Sequence, residues 1–345
     1  MAPNRKLTMP KLRTSLAAAA VALAMSVATA PAPALAANGK DQLKALPKDG
    51  AGVVVLNVEQ LARSPLFQEL YKMATGNPQA QAGMAELTKS LGMDPLAALK
   101  TVVVGLPKGL EGQGLVVLTL GAEAKKIEAL AAQAGMTAKP AIQGATVLQA
   151  PDGATLAILG NQLFMGQDAQ VKAGLGAFKG KGGSIEKNTE VMKLVGGANQ
   201  GDDLWFAANL SGQKGELAHA RSARGGVDLE KGIKVHAVVT MDSAAEATKL
   251  VSETKAKMDE LKAQPQAKML ALDAVAGKLA LSAKGNEVTV DLPLDEADVN
   301  RLKTAVGMMM MMAGAAGGAP GGMPGGPGGP GGMPLQMPAP PAQPR

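Results

Sequence analysis

No cysteine occurs in the 345 residues, and only two histidines, one tryptophan, one tyrosine and four phenylalanines do. Without cysteine there can be no disulfide, no thiolate metal site and no lipid attached through an amino-terminal Cys. The two histidines, His219 and His236, are too far apart for a His-x3-His pair. His219 stands in a charged stretch with nothing to orient its ring. His236 stands in an apolar strand pattern, where a satisfied edge or core histidine outweighs a general base. No Gly-x-Ser-x-Gly elbow is present to supply a nucleophile. The aromatic residues Phe67, Tyr71, Phe164, Phe178, Trp205 and Phe206 are too sparse for a base-stacking platform.

Phosphate chemistry fares no better, although the chain holds 43 glycines. The nearest approach to a P-loop runs from Gly174 to Ser184, but Lys181 is followed by Gly182 rather than Ser or Thr. The adjacent carboxylates Asp202 and Asp203 are expected on opposite faces of a strand, solvated at its edge, so they would not share one site. Cofactors are accordingly not expected.

The amino terminus, by contrast, carries a specific signal. Arg5, Lys6, Lys11 and Arg13 precede an uncharged apolar run from Leu16 to Ala30, followed by Pro31, Pro33 and Ala34-Leu35-Ala36. This is the order of a cleavable export signal, residues 1–36, and the run is too short and too proline-interrupted for a spanning helix. A periplasmic or secreted product without a membrane span is expected. The segment holds four basic residues and no acidic one, so its loss lowers the formal charge from +6 to +2. Nucleic acid is thereby an unfavoured partner.

Short β-branched runs alternate with amphipathic stretches, the pattern of an α+β fold with mainly antiparallel sheets and helices on one face. Two units of strand, helix, strands and helix are expected. The first starts at Val117-Leu118-Thr119-Leu120 and ends in a helix from Asp168; the second starts at Val238-Val239-Thr240-Met241 and ends in a helix from Asp295. Ser243 and Glu246 are spaced as a capping box for the second unit's long helix. The domains expected are 37–200 and 201–307, with 211–232 as a charged loop or linker.

Residues 308–345 are a Gly/Pro-rich extension expected to be disordered. Met308, Met312, Met323, Met333 and Met337 recur in it, and thioethers are soft ligands suited to Cu(I). Leu46-Pro47-Lys48-Asp49-Gly50, leading into the first strand after an export signal, resembles a group of exported bacterial α+β proteins to which no activity is assigned. The resemblance implies a fold class and no functional residue. Three readings follow. The first is a non-enzymatic exported binding or envelope-associated protein, meeting an envelope partner through a surface at Trp205 and Phe206. The second is a copper-handling protein that uses the methionine tail. The third is an enzyme whose carboxylates come together only in the fold.

Overall fold

The computed structural model describes residues 39–305, apart from 77, 109–113, 214–216 and 265–271. Among them, twelve antiparallel strands form one sheet in the order β11-β12-β10-β9-β8-β1-β2-β3-β7-β6-β5-β4. In chain order the strands are β1 Gly52–Leu56, β2 Leu99–Leu106, β3 Leu115–Leu120, β4 Thr137–Ile142, β5 Ala145–Gln149 and β6 Thr155–Leu159. There follow β7 Gln162–Gly166, β8 Leu204–Asn209, β9 Ala220–Asp228, β10 Ile233–Met241, β11 Ala280–Lys284 and β12 Glu287–Leu294. The α+β class is as expected.

The helices are α1 Val58–Leu61, α2 Pro65–Thr75, α3 Pro78–Leu91, α4 Ala124–Gln133 and α5 Asp168–Phe178. Further on come α6 Thr189–Gly196, α7 Ala244–Ala263, α8 Leu272–Lys278 and α9 over 296–305. Local chemistry sets their ends. Ser64 accepts the N–H of Phe67 at 3.2 Å with Pro65 in the first turn of α2, and Ser243 accepts the N–H of Glu246 at 3.2 Å to start α7.

Side chains alternate across the strands, so each face of the sheet has its own core. On one face Val55, Val103, Val117, Phe164 and Trp205 pack under Val171 and Leu175 of α5 and Val191 and Val195 of α6. Before β1, the chain adds to this layer a 3₁₀ helix, Lys40–Ala45, that buries Leu43 completely. On the other face Val102, Val116, Leu118, Leu156 and Leu163 pack under α1, α2 and α4. The part of the sheet from β1 through β2, β3 and β7 to β6 therefore has helices on both faces. Beyond β9 the covering is one-sided: Ala247 and Val251 of α7 pack on Val288, and Val299 of α9 packs on Leu294.

Three expectations change. The charged stretch 211–232 contains β9, which bonds β8 on one side and β10 on the other, so residues 220–228 lie inside the sheet. The sheet also runs across the boundary expected at 200/201, through the pairing of β1 with β8. Finally, the two units share an order of elements, and their last strands return beside their first, β7 beside β3 and β12 beside β10. They are not equivalent, however. The first places four strands after its helix and the second two, and the closing helices α5 and α9 lie on opposite faces. An internal repeat is not confirmed.

Candidate functional site: an aliphatic cavity

The helix α4 has the sequence AKKIEALAAQ, in which Ile127, Leu130 and Ala131 fall at i, i+3 and i+4 and Ala134 follows at i+7. That stripe faces the sheet. Its floor is β3, β7 and β6, where Leu118 stands opposite Leu163 and Leu156 opposite Met165. Leu87 and Leu91 of α3, one turn apart, close the side, and Pro95, Ala98 and Leu99 close the end. Alanines at 98, 131, 134, 150 and 154 leave unfilled the space that larger side chains would take. A cavity of about 520 Å³ results, within the roughly 300–1,000 Å³ typical of small-molecule sites.

The wall on the α3 side is loosely anchored. The helix α3 packs on α2 and α4, without a comparable contact to any strand, and from Gln81 to Lys89 most of its side chains are exposed. Its few inward side chains are Met84, which packs against the main core of this face, and Leu87 and Leu91, which meet a small core with Ala98 and Ala122. The cavity thus lies between a rigid sheet and a helix with few constraints.

The charged groups gather elsewhere, on the face of β9, β10 and β12 away from α7 and α9, where α6 reaches only the near edge at β9. His236 Nδ1 lies 2.6 Å from Asp291 Oδ1, Lys234 Nζ 3.3 Å from Asp228 Oδ2, and Arg224 Nη2 3.8 Å from Glu287 Oε1. His236 is exposed here, on an open face. In the same row, the carboxylate of Asp202 occupies the space above Gly226, where a Cβ would lie 1.9 Å from Asp202 Oδ2. Asn199 Nδ2 donates to Asp202 Oδ1 at 2.6 Å. Burial, then the neighbouring Asp228, push the Asp202 carboxyl above its ordinary value.

Asp203 is buried as well, and Leu229 donates its N–H to Asp203 Oδ2 at 2.7 Å. Burial pushes its carboxyl up despite that bond. The expectation that this pair is solvated at a strand edge is therefore corrected: both side chains anchor the turn before β8. These carboxylates have partners, and Asp202, Asp228 and Asp291 line none of the principal cavities.

Trp205 and Phe206 do not form a joint surface. Trp205 is fully buried under α5 and α6, while Phe206, in register with Val54, points to the other face. The correction is physical: neighbours in a strand face opposite ways, and this sheet is covered on the Trp205 side. The stretch from Gly174 to Ser184 spans the end of α5 and the loop beyond it. The N–H groups of Lys179, Gly180 and Lys181 donate to Leu175, Ala177 and Gly176, so they are spent on ending the helix. Leu46-Pro47-Lys48-Asp49-Gly50 is a turn, with the Gly50 N–H on the Pro47 carbonyl at 3.1 Å. Met308, Met312, Met323, Met333 and Met337 lie outside the described residues, so the copper reading rests on sequence alone. Among the described residues no group of three or more His, Asp or Glu could hold a metal ion, and no helix is long and apolar enough to cross a membrane.

The aliphatic cavity was not legible in the sequence, since its walls use the same Leu, Ala and Met as the core. No family model and no curated protein matches the chain. A solved structure titled "Structure of crystal form I of TP0453" is similar with a TM-score of 0.38 and 8% identity, covering 78% of this chain and 97% of that one. A likeness at that level carries no functional argument.

Proposed function

We propose that this chain is an exported, non-catalytic binding protein whose ligand is an apolar small molecule held between α3, α4 and the sheet. The observation that carries the reading is the cavity of about 520 Å³ with an almost entirely aliphatic lining. Protein interiors close to a packing density near 0.75, and empty apolar space costs stability. An aliphatic groove of this size, open to water at one end and walled by a helix with few anchors, leaves apolar surface that an apolar occupant would cover. Export is supported by the basic, apolar and small-residue order of residues 1–36.

The test is titration of an environment-sensitive apolar fluorophore into the protein beginning at residue 37, which contains every described element. Saturable binding at one site is expected. Ala131 is buried in the cavity wall, so Ala131→Leu fills the space and is expected to weaken binding by about tenfold or more without loss of stability. Equal binding by the wild type and by a folded Ala131→Leu variant, or no saturable binding at all, would overturn the proposal.

A further inference from the structure

Resting on the cavity as the ligand site, we infer that the ligand is a single-chain amphiphile that enters tail first and leaves a cationic head at the mouth. The cavity has direction. At one end Leu91, Pro95, Ala98, Leu99 and Leu120 are all buried, whereas at the other Ala134 and Asp152 are exposed. Its floor crosses the sheet from β2 through β3 and β7 to β6. That is three inter-strand spacings of about 4.8 Å, roughly 14 Å in all. A tract that spans four strands and has no aromatic residue among those that line it suits a flexible alkyl chain better than a flat ring system.

The mouth sets the head group. Asp152 is the one ionisable side chain among the described residues that line the cavity. Its Oδ1 accepts the N–H of Ala154 at 3.1 Å, which holds the carboxylate in the exposed turn between β5 and β6. The carboxyl end of α4 opens on the same mouth at Ala134, and its last turn carries no basic residue. A helix end of that polarity adds partial negative charge. Lys125 and Lys126 lie at the opposite end of α4. Lys139 is in register with Val147, whose side chain belongs to the core on the other face, so it points away from the cavity. An anionic head would meet a carboxylate and a negative helix end together. A cationic head meets two favourable partners.

The experiment uses decylamine, decanol and decanoate to displace the bound fluorophore from the protein beginning at residue 37, at low ionic strength and below micelle formation. Decylamine is expected to displace it at a concentration roughly three- to tenfold lower than decanol, with decanoate weakest. Asp152 is exposed, so Asp152→Asn leaves the fold intact; it is expected to remove most of the amine's advantage and leave decanol unchanged. Displacement by decanol with no preference for the amine, or an amine preference that survives Asp152→Asn, would overturn the head-group assignment while leaving the cavity as a binding site. Displacement by none of the three would overturn both.

Discussion

The two halves of the sheet solve different problems with one strand geometry. From β1 to β7 the strands carry apolar residues on both faces: all six residues of β3 are buried, and helices cover each side. From β9 to β12 one face is apolar under α7, α8 and α9, while the other is a row of cross-strand ion pairs in water. Where both faces are dry, composition decides how well the space is filled, and a chain rich in alanine and poor in aromatics leaves a cavity. Where one face is wet, neighbouring opposite charges satisfy each other and no cavity forms.

The contrast is sharpest in the core. Phe164→Ala, in the half covered on both faces, is expected to cost about 3–5 kcal/mol; Val238→Ala, on the open face of β10, should stay within about 0.5 kcal/mol. Chemical denaturation measures both, and equal costs would show that the open face is covered after all. At the seam between the halves, Gly226→Ala places a methyl group against Asp202 and the Leu204 carbonyl. A loss of about 1–3 kcal/mol is expected, part of it recovered on adding Asp202→Ala. Strict additivity of the two substitutions would show that the carboxylate is not held above that glycine.

The smallest effect concerns pH. Burial raises the Asp203 carboxyl above 3.8, so the folded state binds the proton more tightly than the unfolded chain does. Stability from this group is therefore greatest at low pH and falls as pH rises from 3.8 through the raised value. Asp203→Asn keeps an acceptor for the Leu229 N–H and should flatten that fall in melting curves taken across the acid range. An unchanged slope would assign the dependence to another group.

Much of the fold was legible. Runs such as Val117-Leu118-Thr119-Leu120 announce strands, and the spacing of Ser243 and Glu246 announces a helix start. The strand β9 was not, because ARSARGGVD has the composition of a loop. Its glycines are needed where Asp202 and the backbone of β10 approach closely, and its Arg224 faces the open side, so the signals that mark strands are absent. The edge strand β4 was hidden in a similar way, being exposed and interrupted by Pro140. The cavity was illegible for a different reason. Sequence reports which side chains are apolar, but whether their volumes close a space depends on distances among elements from residue 87 to residue 165.

The position of β1 also bears on how the chain reaches this fold. It is the first strand made, yet it lies mid-sheet, bonded to β2 on one side and to β8, residues 204–209, on the other. Contacts between such distant segments must wait for a long loop to close, which slows folding. Until β8 arrives, one edge of β1 remains open to pairing with other chains. The central seam cannot close until residues 204–209 are present, more than half the chain after the amino terminus, and its closure joins the two halves of the sheet.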